Sequence, residues 1–392
     1  MKRPLLIIFG FLLLFAVEIL RVYFIMPFPG SQHADTINIA YFISNNIWWI
    51  RILAIVIMVS SLWYYLRRGK WWQKTIVIFF LLFYGLIFYA FNFRFLADKM
   101  FHQPKEKLFA GTATDTTNKN KLIIGVAING EAKAYPVEII GYHHQVRDTL
   151  GQQSIMVTYC TVCRTGRVYS PFVDGKPEEF RLVGMDHFNA MFEDKTTKSW
   201  WQQATGTAIA GPLKGKQLPE LFSTQMKLGD WLILHPKSLV LQPDKHFRAR
   251  YDSLKGYDEG TIEGSLEKRD SASWKFKSWV IGINLNGESK AYDWNMLTKK
   301  KIITDQLGKT RILLTVEPDN RTFYAFALND SLHFDFDPAT NLLKDNNSKL
   351  TCTLNGKCTN ELMKETNLVP IQAYQEFWHS WRTFHPNTSK LE

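Results

Sequence analysis

Three apolar runs open the chain and limit what its first quarter can become. Backbone amides in bilayer hydrocarbon must satisfy one another, which leaves helices or closed barrels. A spanning helix needs about 20 apolar residues. The runs at 4–28 (PLLIIFGFLLLFAVEILRVYFIMPF), 47–66 (IWWIRILAIVIMVSSLWYYL) and 75–93 (TIVIFFLLFYGLIFYAFNF) have that length. The first ends in aromatics and prolines, without the small-residue cleavage site of a signal peptide, so it reads as a retained span. Trp48, Trp49, Trp63, Tyr64, Tyr65, Trp71 and Trp72 lie at span ends, as in interfacial aromatic belts.

Basic residues in short loops set the orientation. Lys2 and Arg3 precede the first span, residues 29–46 hold neither Lys nor Arg, and LRRGKWWQK supplies Arg67, Arg68, Lys70 and Lys74. Arg94, Lys99, Lys105 and Lys107 weigh mildly against this assignment. The expected protein is integral to the cytoplasmic (inner) membrane, with the N-terminus cytoplasmic and a large C-terminal domain periplasmic or extracellular. Its implied partner is the lipid bilayer. The net charge of +11 is accounted for largely beside the spans, and no basic helix or zinc-finger pattern supports nucleic-acid binding. Within the spans, Glu18 and Arg21 have the i,i+3 spacing of a local pair, and Arg51 is expected to snorkel.

The remainder carries an internal duplication. LIIGVAINGEAKAYP (122–136) returns as WVIGINLNGESKAYD (279–293), and RDTLGQQSIMVT (147–158) as TDQLGKTRILLT (304–315) at the same offset. The copies end alike in DWLILHPKS (230–238) and SWRTFHPNT (380–388), pairing Trp231 with Trp381 and His235 with His385. An Asn-Gly between alternating runs is a hairpin signal. Short helices are expected at 137–144 and near the Trp-x-x-x-His-Pro ends. The fold expected is α+β: three N-terminal transmembrane helices, then a β-rich soluble domain of two related repeats. The boundaries read as a membrane domain 1–97, a linker 98–121, a first repeat 122–241, a connector 242–278 and a second, degenerate repeat 279–391.

The repeat separates framework from candidate function. His235 and His385 recur, so a structural role is expected of them. Cys160 and Cys163, by contrast, fall opposite Glu317 and Asn320, and His143 and His144 fall opposite Lys300 and Lys301. Arg164 after the second Cys excludes a c-type haem attachment. The strand-like RTGRVYSPF that follows disfavours a thioredoxin dithiol, which needs a helix N-terminus. Two thiolates in a tight turn suit a metal knuckle, with His143 or His144 as further ligands and zinc, copper or iron as the ion. The expectation is thus a metal-binding or thiol-redox site, and the alternative is a non-catalytic binding or assembly module whose structural disulfide or buried thiol pair an oxidising compartment would favour. Met185, His187 and Met191 could add soft ligands or simply fill a core. Cys352 and Cys358 flank an Asn-Gly turn and suggest a local disulfide or two unpaired thiols. A second cluster, SWWQQATGTAIAGPLKG (199–215), makes Trp200, Trp201, Gln202, Gly211 and the nearby His187 candidates for a polar pocket, or a cover for a small core. Whether any of this serves an enzyme, a protein partner or a small molecule is left open by these residues.

GVAINGEAKAYPVEII, HHQVRDTLGQ, VTYCTVCRTGRVYS, FEDKTTKSWWQQATGTAIAGPLKG and FHPNT together resemble the bacterial and archaeal family catalogued as domain of unknown function 3179. The resemblance spans nearly all of 120–390, and the N-terminal part is similar to the membrane extension of some members. Members typically show a Cys-Pro-Leu-Cys-like centre followed by a small residue, from which Thr161, Val162 and Arg164 depart. His143 matches the family's histidine in Trp-His-Glu, with His144 in place of the acid. The resemblance implies no established activity.

Overall fold

The computed structural model describes residues 3–359 and 365–391. Its contacts divide the chain into two compact units, one of residues 1–102 and 173–217, the other of 103–172 and 218–392.

The first unit contains three helices long and apolar enough to cross a membrane, Arg3–Tyr23, Ile37–Arg68 and Trp71–Phe93. The second has 32 residues, about 48 Å at 1.5 Å per residue, against a hydrocarbon core of about 30 Å. It therefore starts ten residues before the apolar run that marks it in the sequence. The intramembrane charges pair across helices, correcting the local Glu18–Arg21 pair expected above. The Arg51 guanidinium grips the fully buried Glu18 carboxylate through Nε and Nη2 at 2.7 and 2.8 Å. Asn92 and Tyr84 donate to the same carboxylate at 2.8 and 3.1 Å, while Arg21 turns to Asn92 Oδ1 and the Phe91 carbonyl. One carboxylate thus ties all three helices together, which satisfies charges that lipid could not solvate.

The same unit holds a four-stranded sheet in the order Ala208–Ala210, Trp200–Gln202, Asn189–Asp194, Phe180–Asp186. It is seated on the loop after the first helix. The Met185 amide donates to the Ile25 carbonyl at 2.7 Å, and the Phe188 amide to Gln32 Oε1 at 3.1 Å. A Cβ on Gly184 (φ +159°) would collide with Ile25. The overhanging start of the second helix brings the Tyr41 ring edge-on to Trp200 at 5.1 Å.

The second unit shows the duplication as geometry. In each copy a hairpin turns on an Asn-Gly whose residues both have positive φ, Asn129 and Gly130 at 51° and 82°, Asn286 and Gly287 at 53° and 84°. Such a turn matches the strand twist. Leu122–Ile128 and Glu131–Pro136 gain Thr224–Lys227 antiparallel on one edge and Leu239–Leu241 parallel on the other. Trp279–Leu285 and Glu288–Asp293 gain Tyr374–Phe377 and Ser389–Leu391 in the same senses. The two edge strands are joined by a short helix, Leu228–Leu234 or Trp378–Phe384, whose tryptophan lies over the hairpin glycine. A strand at Phe109–Ala110, within the stretch read as linker, extends the first sheet beside Leu239–Leu241.

Each copy then adds a meander: Gln145–Leu150, Gln153–Cys160 and Thr165–Tyr169 in the first, Ile302–Leu307, Thr310–Val316 and Phe323–Leu328 in the second. The second copy also carries a sheet over 334–367, in which paired Cys352 and Cys358 form a disulfide. Its apolar residues, Phe334, Leu343, Leu354 and Leu368 among them, share one core with Ile123, Met226 and Trp231 of the first copy.

Candidate functional site

Cys160 ends one strand and Thr165 begins the next, so Thr161–Arg164 form the connecting turn. No helix starts there, in line with the strand-like sequence after Cys163. Arg164 takes the left-handed conformation that closes the turn, φ 56°. Both sulfurs are buried and form no disulfide. Burial, then the neighbouring Cys160, pushes the Cys163 thiol well above its ordinary range. The apolar surroundings that raise it disfavour a free thiolate nucleophile.

The turn is held by the other copy. The Phe377 amide donates to the Cys163 carbonyl at 3.1 Å, His379 Nε2 to the Val162 carbonyl at 3.3 Å, and Thr165 Oγ1 lies 3.1 Å from Ser380 Oγ. Ser380 donates to Glu376 Oε2 at 3.0 Å, and the other oxygen of Glu376 is paired with buried Arg167. A reciprocal contact exists. Thr322, which corresponds to Thr165, donates to Asp230, which corresponds to Ser380. The Lys227 amide donates to Thr322 Oγ1 at 3.0 Å, and its ammonium pairs with Asp319. Across the seam Gln225 Nε2 donates to its counterpart Gln375 at 3.3 Å. Each repeat thus places its turn on the other's terminal helix, and only one of the two turns uses cysteine.

The histidine candidates sit on and just after the helix Val137–His143. His143 Nε2 lies 2.7 Å from the Tyr251 hydroxyl, and its ring packs edge-on against Phe247 and Tyr251. His144, left-handed at φ 61°, directs Nδ1 to the Tyr142 carbonyl, and burial lowers its pKa to about 4. Among the described residues no group of three or more His, Cys, Asp or Glu side chains converges as metal ligands would. Cys160, Cys163, His143 and His144 are therefore not assembled into one ligand set. Met185, His187 and Met191 belong to the other compact unit.

The second cluster is brought together, through carboxylates. Trp200 and Trp201 are buried, their indole N–H groups donating to Glu193 at 3.0 Å and Asp194 at 2.9 Å on the neighbouring strand. Gln202 Nε2 and His187 Nδ1 meet the two oxygens of Asp186. That bond, outweighing burial, raises the His187 pKa. Gly211, φ 98°, leaves room for Ser199 and the Tyr41 hydroxyl. The recurring histidines are structural as expected: His235 and His385 lie on Trp231 and Trp381 at ring separations of 4.0 and 3.8 Å.

The sequence reading passed over a cavity of about 370 Å³ at the seam of the repeats. Its walls include Leu122 and Trp279, which correspond, and Arg164 and Arg321, which also correspond. Arg269 and Asp258, from the stretch read as a connector, close it. The signal was present, because the ungapped alignment extends six residues past Thr158/Thr315 to an arginine in each copy.

No curated protein and no solved structure matches the chain. The family model described as "Protein of unknown function (DUF3179)" matches residues 105–388, which cover the paired repeats, both terminal Trp helices and the cysteine turn. The chain belongs to the DUF3179 family of proteins of unknown function.

Proposed function

We propose that this chain is a membrane-anchored binding module, displayed outside the cytoplasm, in which Cys160 and Cys163 are a structural pair joining the two repeats. The observation that carries this reading is the reciprocal seam: the cysteine turn occupies the place that Asp319–Thr322 fills in the other copy, with a serine–glutamate–arginine chain behind it. The burial of both thiols at the seam supports a packing role over an exchange role. The outside location is supported by the distribution of lysine and arginine about the spans.

Metal analysis and thiol counting on the full chain in detergent test the reading. Native protein should hold no stoichiometric zinc, copper or iron. Cys160 and Cys163 should react with a thiol reagent only after unfolding, and Cys160→Ser should lower the melting temperature by several degrees, about 1–3 kcal/mol for a more polar group in a buried thiol site. One equivalent of metal, lost in Cys160→Ser and Cys163→Ser, would overturn it in favour of a metal centre.

A further inference from the structure

The seam cavity holds two arginines, with Asp258 on its wall within charge range of Arg164 and Asp293 within charge range of Arg269. Arg164 is 1% exposed and pinned in place, with Nε donating to Gln375 Oε1 at 3.0 Å and Nη1 to the Tyr257 carbonyl at 3.4 Å. Its guanidinium lies 3.9 Å from the centre of the Trp279 ring, and that of Arg269 lies 3.9 Å from the same centre. Arg269 Nη2 donates to Asn295 at 3.1 Å. Among the described residues neither arginine forms an ion pair. Other charges nearby are already matched, Arg321 with Glu259 and Asp319 with Lys227.

Buried polar groups are ordinarily hydrogen-bonded, so exceptions call for a cause. Three occur here: Arg269 Nε, Trp279 Nε1 and Asp258 Oδ1 are all buried without a partner. Trp279 and Asp258 are 6% and 8% exposed, and both line the cavity. Burial, followed by the charge of Arg164, lowers the Arg269 pKa to about 10, against the opposing pull of Asp293. A guanidinium and an indole N–H are donors only, suited to oxyanions. Asp258 Oδ2 accepts from the Leu122 amide at 3.0 Å, which leaves Oδ1 as an acceptor for a donor group. The volume lies at the lower end of small-molecule sites, about 300–1,000 Å³.

We infer that the seam cavity binds a small hydroxylated or amino-bearing acid, its carboxylate or phosphate oxyanion taken by Arg164, Arg269 and the Trp279 N–H and its hydroxyl or amino group by Asp258. The oxyanion supplies acceptors for the orphaned donors Arg269 Nε and Trp279 Nε1. The cation-stacked Trp279 holds both guanidiniums in place before the ligand arrives. This assignment rests on the binding-module reading and names the ligand chemistry.

Calorimetry and thermal shift on the full chain in detergent test it, with inorganic phosphate, glycerol phosphate, malate, succinate and neutral glycerol as probes. Glycerol phosphate or malate should bind and raise the melting temperature. Succinate, lacking the hydroxyl donor, and phosphate, lacking a carbon-borne hydroxyl placed away from its anionic oxygens, should bind at least several-fold more weakly, and glycerol not at all. Arg269→Gln should weaken the best probe at least tenfold, Arg269→Lys by less, and Asp258→Asn should erase the advantage of malate over succinate. Lys344→Gln, changing a cation outside the cavity that pairs with Asp337, serves as the folded control. Failure of every anionic probe to bind wild-type protein, or equal binding to Arg269→Gln, would overturn the inference. In that event glycerol or a cationic ligand binding the cavity would leave the binding module standing, whereas metal bound at the cysteines would remove the module reading itself.

Discussion

At Gly125 and Gly282 it is the missing side chain that matters, because a Cβ at either would overlap the indole of Trp231 or Trp381. Each indole N–H then reaches a hydroxyl past the histidine, Ser238 at 2.7 Å and Thr388 at 2.8 Å. Three other facts at this scale give the fold a pH limit. Burial, the leading cause each time, lowers His144 to about 4, His379 to about 3 and His385 to about 4. Their folded pKa values lie below the unfolded value of about 6.5, so unfolding takes up protons as the medium acidifies. The stability they contribute is complete above about pH 6.5 and falls as the pH drops towards 4, by on the order of a few kcal/mol together. Melting should therefore move to lower temperature between about pH 7.5 and 5, and less steeply in His144→Gln. A flat profile would mean that these imidazoles charge within the folded protein. The repeated Gly, Trp and His were legible because two copies show them twice. Arg269 and Asp258 were not, since they lie in a polar, unrepeated stretch whose long-range partners leave no local pattern.

Among the elements, the membrane helices and both Asn-Gly hairpins follow from signals confined to a few neighbouring residues, and those signals were readable. The partner of Glu18 was not, because Arg51 lies 33 residues away on another helix while Arg21 offers the nearer, familiar spacing. A bidentate grip on a fully buried carboxylate outweighs a local i,i+3 pair worth about 0.2–0.5 kcal/mol. Arg51→Ala should leave Glu18 buried and uncompensated, at a cost of about 3–5 kcal/mol, and the double variant Glu18→Gln/Arg51→Met should recover most of it. Melting in detergent distinguishes the two. A single variant as stable as the wild type would show that Asn92 and Tyr84 suffice to hold the carboxylate.

For the whole molecule the expectation to test is sidedness. The sheet of residues 180–210 is seated on the loop before the second helix, the loop free of lysine and arginine, while the Arg67–Lys74 loop lies at that helix's far end. A reporter fused to the C-terminus should be reached by impermeant reagents from outside intact spheroplasts, as should a cysteine placed at exposed Asp35. Labelling of the C-terminal reporter only after the membrane is breached would reverse the orientation. The two-copy plan and its hairpins could be expected from the duplicated text, but the parallel edge strands and the crossing of each turn to the other copy's helix could not. Alignment reports likeness between copies and is silent about contact between them. That crossing has a further consequence. A turn exchanged both ways is the isologous contact of a two-fold homodimer, here written into one chain. Two identical subunits must change both halves of such a contact at once, whereas a tandem pair can alter one half and keep the other. Lys227 with Asp319 on one side, and Thr165 with Ser380 and Glu376 on the other, are two different versions of one joint within a single chain.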